Sequence, residues 1–317
     1  EGHTAMVTFP DRLIAAIDRK GYPAAVGIDP QLDLMPPTLV HRYFDQFGQT
    51  HTAGALAVRD FTLRLLDAIT PHVPAVKLQA AFFEALGPPG MQVFADMLLE
   101  ARQRGLVVIA DVKRGDIDST AQAYAMAYLG NSSPDGSLAA GFEADAVTVN
   151  AYLGVDGILP FLEAAKAHDK GLFIVLRTSN RSAGDLQDLS IDGTPLYERL
   201  ATLVQRWGEG TEGRTPYQIV GAVVGATYPA EAARLRSLMP RTFFLVPGYG
   251  AQGAGAADVR ACFNPDGYGA LVSSSRAIIY AYRREAYRAL GEENFAQAAM
   301  AAVRTMQQEL AAVLRPS

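Results

Sequence analysis

A chain of 317 residues, 49% hydrophobic and 19% charged, can bury a large core in one big α/β domain or two small ones, and its composition is that of a globular protein. A net charge of -5 leaves no electrostatic footprint for nucleic acid, no basic helix suits a membrane surface, and no apolar run is long enough to span a bilayer. One cysteine, Cys262, cannot form an internal disulfide, and neither a Cys/His ligand cluster nor a secretory signal is present, so the sequence predicts a protein of the reducing cytoplasm. Residues 1–5 read as an extraneous leader before Met6, and 6–317 as a single domain.

In chain order, an amphipathic helix is predicted over 10–20, with Leu13, Ile14 and Ile17 inward and Gly21 as its stop. The first strand, 24–29, closes on Asp29. A long connection with Pro30, Pro36 and Pro37 leads to a helix over 53–69, and a short apolar strand over 75–79 carries Lys77, which has no obvious solvated face. Gly87, Pro88, Pro89 and Gly90 punctuate a turn, after which Val93, Phe94, Met97, Leu98 and Ala101 give helical spacing up to Gly105.

The third strand starts in the apolar run 106–109 and continues through Asp111 and Lys113. Alternate strand side chains point the same way, so these two share one face of its carboxyl end, with Asp116 in the turn beyond. Burying a carboxylate beside an ammonium is a poor way to gain stability, because desolvation roughly cancels the attraction. That marks the stretch as a candidate site.

The alternation continues with a helix over 119–128, a polar insertion over 130–136, and a fourth strand over 146–150. Ile158, Phe161, Leu162 and Ala165 mark a helix, and the fifth strand, 172–177, opens into Thr178, Ser179 and Asn180 and a polar loop reaching about residue 194. A helix over 196–207 precedes strands six (219–225), seven (242–246) and eight (269–274), and Ala-rich helical sequence runs over 284–314. Eight apolar strands separated by helices predict a (β/α)8 TIM barrel with an additional N-terminal helix and loop insertions; a doubly wound sheet is the main rival. The unusual polar residues sit where strands run into the following loops, the active-site end of such barrels.

Asp29, Lys77, Asp111 and Lys113 come from three consecutive strands and would converge at one mouth as a cluster of zero net charge. A single Asp/Lys pair reads more readily as an ion pair plugging the barrel; four such residues at adjacent strand ends shift the reading toward function. A lysine between carboxylates favours its ammonium form, so Lys113 suits a proton donor better than an amine nucleophile. A donor facing a carboxylate, without a pyridoxal-phosphate or thiamine signature, suggests chemistry that generates and quenches a carbanion. After strand seven, Pro247, Gly248, Gly250 and Gln252 lie in a glycine-rich loop placed to grip a phosphate. The same loop contains G-x-G-x-x-G, but the seventh βα unit with a poor helical pattern behind it is the wrong context for a dinucleotide fingerprint. Arg276, just after strand eight, can supply a bidentate charge. Ser179 and Asn180 suit a heterocycle or sugar, or else simply form a turn or helix cap. His41, His51, His72 and His168 show no pairing that indicates a metal and read as structural.

These residues resemble those of the orotidine 5′-phosphate decarboxylase family, specifically its longer bacterial form. The D-x-K-x-x-D-I signature is present as Asp111, Lys113, Asp116 and Ile117, and Thr120 follows at the family's spacing. Asp29, Lys77, the 178–180 segment, the 247–253 loop and Arg276 match further family positions in order. The resemblance implies decarboxylation of orotidine 5′-monophosphate to uridine 5′-monophosphate without metal or cofactor. By the family pattern Lys113 protonates C6 and Asp111 sits against the reacting carboxylate. Asp29 and Lys77 would hold the ribose hydroxyls, Ser179 the pyrimidine, and Gly250, Gln252 and Arg276 the phosphate. Asp116 and Thr120 would reach into a neighbouring subunit's site, which implies a homodimer. The long segment after strand one, the insertion before strand four and the long strand-five loop depart from the short-form pattern and bear on dimer geometry and loop closure. Two rivals follow from the same residues: a magnesium-dependent sugar-phosphate decarboxylase of the 3-keto-gulonate 6-phosphate type, and a non-catalytic nucleotide-binding barrel.

Overall fold

Parallel strands formed by Ala24–Ile28, Ala75–Gln79, Val107–Arg114, Ala146–Asn150, Gly171–Arg177, Val220–Val224, Phe244–Val246 and Ala270–Ser274 close into an eight-stranded barrel in sequence order. The last strand pairs with the first through Ala24 opposite Val272 and Val26 opposite Ser274. The barrel belongs to a computed structural model that describes residues 6–131, 133, 135, 137–138, 141–225, 228–250 and 255–314. The doubly wound alternative is excluded by this closure.

Strand alternation divides the apolar residues into two cores. Val26, Ile28, Val76, Leu78, Val108, Ala110, Val147 and Val149 face outward, into the layer of helices. Ala25, Ala75, Val107, Ile109, Ala146, Phe173, Val223, Leu245 and Leu271 form a second cluster with Phe9, Leu13, Ile14 and Ile17 of the helix Phe9–Lys20. The predicted N-terminal helix thus seals the inward core, with the Phe9 ring edge-on to Phe173 at 6.0 Å. Asp11 fixes the entry to this helix by accepting from Thr8 N (2.9 Å) and tying in Arg214 N (2.9 Å) and Thr215 N (2.8 Å). Because side chains alternate, the inward register that buries Ala25, Ala75, Ile109, Ala146 and Leu271 continues toward the carboxyl ends as Gly27 and Asp29, Lys77 and Gln79, Asp111, Thr148, and Ser273 and Ser275. The polar site is the upward extension of the inner core.

Several elements differ from the sequence expectation. The proline-rich connection after strand one contains the helix Pro37–Phe47, and the helix before strand three begins at Gly87, since prolines in a first turn forfeit only N–H groups that have no helical partner. A helix Pro229–Leu238 lies between strands six and seven. The strand-five loop holds a short helix, Gly184–Gln187, and a two-stranded hairpin, Ser190–Ile191 with Thr194–Pro195. The C-terminal helix starts only at Phe295: the preceding stretch forms 3-10 turns, and Gly291, at φ 76°, interrupts it. No helix among the described residues is long and apolar enough to cross a membrane. The predicted insertion near 130–136 falls partly outside the described residues.

Candidate active site

Asp111 is the centre of the charged cluster. It is 4% exposed, and its carboxylate accepts four hydrogen bonds. Oδ2 takes Lys77 Nζ at 2.7 Å and Gln79 Nε2 at 3.0 Å; Oδ1 takes Lys113 Nζ at 2.6 Å and Thr148 Oγ1 at 2.9 Å. Burial by itself would raise the carboxyl pKa, but the Lys77 and Lys113 charges and their hydrogen bonds outweigh it and hold Asp111 well below the usual carboxylate range. Lys77 is buried as well. Desolvation would lower its pKa, and the carboxylates of Asp111 and Asp29 overcome that and raise it. Both groups are therefore held in their charged forms.

The side chain of Lys113 is differently placed, with 46% of it exposed. Its strand departs from regular pairing between Ala110 and Arg114, and Lys113 adopts φ 46°, a left-handed conformation uncommon for a residue with a Cβ. The bulge turns the lysine toward the cavity while keeping its ammonium on Asp111.

A cavity of about 400 Å³ opens above this cluster, lined by Asp29, Lys77, Asp111, Lys113, Ser179, Asn180, Pro247, Gly248 and Arg276 together with Gln79, Thr148, Tyr249, Ser273 and Ser275. Asp29 Oδ1 is buried with no hydrogen-bond partner, while its backbone carbonyl is fixed by the Tyr280 hydroxyl at 2.9 Å. A buried, unpaired carboxylate oxygen at a cavity wall is a ready acceptor for ligand hydroxyls. On the far side Gly248 and Gly250 take φ 92° and 78°, so the loop after strand seven bends as few side-chain-bearing residues could. Tyr249 between them is anchored by donating its hydroxyl to Glu309 of the helix Phe295–Leu314, and its carbonyl accepts from Ser274 Oγ at 3.0 Å. Arg276 is exposed at the start of the helix Arg276–Ile279 and has no ion-pair partner among the described residues, leaving its guanidinium available to an anion.

The strand-five segment is held from behind. Arg177, 5% exposed, donates to both Glu231 oxygens (2.8 and 3.1 Å), pairs with Asp188 at 2.7 Å and stacks over Tyr197. Next to it Gln187 accepts from Thr178 N at 3.0 Å and donates to Thr178 Oγ1 at 2.7 Å. These bonds fold the polar loop back so that Thr178, Ser179 and Asn180 face the cavity.

Asp116 and Thr120 do not line this cavity. Asp116 accepts from Ile117 N at 2.8 Å in the turn after strand three, and Thr120 is exposed on the helix Asp118–Leu129. Gly250 is also outside the lining, Gln252 lies outside the described residues, and none of His41, His51, His72 or His168 is at the site. Sequence reasoning missed Gln79, Thr148, Ser273 and Ser275. Their signal was present: each is a polar residue in inward register on or just after a buried strand.

Residues 44–290 match the family described as orotidine 5'-phosphate decarboxylase / HUMPS. A protein of Rhodopirellula baltica named orotidine 5'-phosphate decarboxylase is 44% identical over 306 residues, 96% of this chain and 99% of its own. One of the same name from Deinococcus radiodurans is 44% identical over 275 residues, covering 84% and 90%. The structure of Leishmania donovani OMP decarboxylase superposes with a TM-score of 0.72 at 29% identity, covering 98% of this chain and 100% of that one. By these matches, over nearly its whole length, the chain belongs to the orotidine 5′-phosphate decarboxylase / HUMPS family.

Proposed function

We propose that this protein decarboxylates orotidine 5′-monophosphate to uridine 5′-monophosphate and carbon dioxide, using its own side chains and neither metal nor cofactor. The observation that carries the reading is the Lys113 ammonium, held at 2.6 Å on a saturated Asp111 carboxylate and turned into a cavity rimmed by an unpaired arginine. Breaking the C6–carboxylate bond leaves its electron pair on C6, and Lys113 gives its proton to that carbon as carbon dioxide departs. A vinyl carbanion without an electron sink asks the enzyme for about 20 kcal/mol or more of transition-state stabilisation, near the upper end of what enzymes supply. Fixed charges that need no reorganisation suit that demand. With Lys77 and Gln79 occupying one Asp111 oxygen and Thr148 and Lys113 the other, Asp111 keeps its charge and position against the substrate carboxylate.

The remaining binding roles follow the cavity. Asp29, with its unpaired Oδ1, and Lys77 would take the ribose hydroxyls, Ser179 and Asn180 the pyrimidine, and Arg276 with the Gly248 N–H the phosphate, with Pro247 shaping the wall beside it. The family pattern adds Gly250, outside this lining, and Gln252, outside the described residues. Binding energy from the remote phosphate then offsets the cost of ordering the reacting end. A cytoplasmic location fits the single, buried cysteine.

A homodimer completes this reading. Asp116 and Thr120 are near the cavity's strand in sequence but do not line the cavity, and Ile117, Tyr152, Leu153, Val155 and Leu159 expose between 44% and 81% of their surface. The Asp116 turn packs on the helix Val155–Ala167: a Cβ at Gly157 would lie 3.0 Å from the Asp116 carbonyl oxygen and 3.5 Å from Leu153 Cβ, which sets exposed Leu153 beside the Asp116 turn. A second copy docked there would cover apolar surface and receive Asp116 and Thr120.

The test offers the purified protein orotidine monophosphate in excess EDTA and, separately, a 3-keto sugar phosphate acid with magnesium. Conversion of the nucleotide alone supports the proposal. Magnesium-dependent conversion of the sugar acid alone would support the rival decarboxylase, and tight nucleotide binding without turnover a binding barrel.

A further inference from the structure

Thr148, on strand four, is fully buried, and its hydroxyl has every bonding position occupied. Its oxygen accepts from Val112 N and Lys113 N, both at 2.9 Å, which leaves its hydrogen to the Asp111 oxygen at 2.9 Å. The two amides belong to the bulge. In a regular parallel ladder successive amides point to opposite neighbouring strands, so only one of the two would reach strand four; the pairing with strand four slips between Ala110 and Arg114, and here both amides meet the strand-four threonine. Two adjacent N–H groups, one buried and one partly buried, would be costly to leave unpaired, and Thr148 satisfies both with one atom.

The same oxygen therefore governs two things about the proton donor. It holds the backbone in the form that gives Lys113 φ 46°, and it supplies the second donor on the Asp111 oxygen that grips the Lys113 ammonium. A second donor on Oδ1 fixes where that oxygen points and shares its negative charge, so the ammonium is oriented without being bound by the carboxylate alone. With no lone pair or hydrogen left over, Thr148 has nothing to offer a ligand, though it lines the cavity floor.

We propose that Thr148 is a positioning residue for proton delivery, a hydroxyl clamp that sets both the strand-three bulge and the Asp111–Lys113 pair. The inference rests on the decarboxylase reading above. A misplacement of the donor by about 1 Å costs about 100-fold in rate, so Thr148→Val, which keeps the shape and removes the hydroxyl, is expected to lower kcat by about that factor. The KM for orotidine monophosphate is expected to change little, because phosphate and pyrimidine contacts lie on other strands. Thr148→Ser restores the oxygen and is expected to recover most of the loss. Thr148→Ala gives the same reading as Val should the valine variant not fold.

Amide hydrogen exchange adds a measure independent of turnover: Val112 and Lys113 are expected to be protected in the wild type and Ser variant and to open in Val or Ala while the rest of the barrel stays protected. Near-native kcat in Val or Ala, a serine variant as damaged as valine, or a loss confined to KM would each overturn the proposal. An inactive, folded wild type would contradict the decarboxylase reading instead. The clamp would then stand on exchange alone, and equal exchange at Val112 and Lys113 with and without the hydroxyl would overturn it.

Discussion

Lys113 Nζ meets Asp111 Oδ1 at 2.6 Å across a stretch of strand that leaves its regular path between them. Simple alternation puts the two residues on one face, and the bulge adds what alternation cannot: one member of the pair is buried while the other reaches into the cavity. The buried member can thus hold a fixed charge while the exposed member is left accessible to a ligand in the cavity.

The depressed Asp111 pKa sets a pH window. A carboxyl whose folded pKa lies below its ordinary value of about 3.9 contributes stability above that value and loses it as pH falls through the folded one. Lys77, raised, contributes below its ordinary value of about 10.4 and loses that contribution only as pH rises through a still higher one. Neither group titrates at neutral pH. Asp111→Asn leaves buried Lys77 without its main partner and is expected to cost about 3–5 kcal/mol at pH 7, a difference that shrinks in strong acid. Denaturant midpoints across pH, with a carboxyl carbon titration of Asp111, check this; a midpoint at or above the ordinary aspartate value would contradict it.

Arg276→Ala removes the one guanidinium among the described residues that line the cavity. Hydrogen bonds to charged groups contribute about 1.5–3 kcal/mol, so kcat/KM for the nucleotide is expected to fall at least about tenfold. A nucleoside substrate lacking the phosphate should be indifferent to the change. Equal losses for both substrates would place the role of Arg276 elsewhere.

The latch behind the strand-five segment predicts a different signature. Gln187→Ala frees Thr178 from two hydrogen bonds without touching the charged cluster. KM is expected to rise and the 178–190 segment to become sensitive to protease, while global stability changes little. An unaltered KM would mean that the segment is held by Arg177 with Glu231 and Asp188 alone.

Much of this was legible in the sequence, and the reasons are physical. Strand positions could be read because parallel barrel strands are short apolar runs, and Lys77, Asp111 and Lys113 stood out because charged residues in such runs require partners. Gln79 and Thr148 were not singled out, since an uncharged polar residue in a strand carries no comparable penalty and its partner lies on another strand, far away in sequence. The bulge was equally hidden: it depends on the Thr148 oxygen across the ladder, not on any local turn signal. The start of the C-terminal helix was misread because 285–290 is rich in helix formers, yet Gly291 breaks the run.

The dimer reading is testable by complementation. Lys113→Ala chains lack the donor and Asp116→Ala chains lack the residue proposed to cross the interface, so mixed dimers contain one site with both intact. Co-refolded mixtures are expected to regain activity up to about a quarter of the wild type on statistical pairing of closed two-fold dimers. No recovery, with subunit exchange demonstrated, would contradict a shared site.

Turnover of orotidine monophosphate in excess EDTA, measured side by side for the wild type and Lys113→Ala, tests the central claim most directly. Stoichiometric formation of uridine monophosphate by the wild type, and loss of nearly all of it in a folded Lys113→Ala variant that still binds the nucleotide, is the predicted result. A folded wild type without turnover, or a Lys113→Ala variant that retains it, would contradict the account.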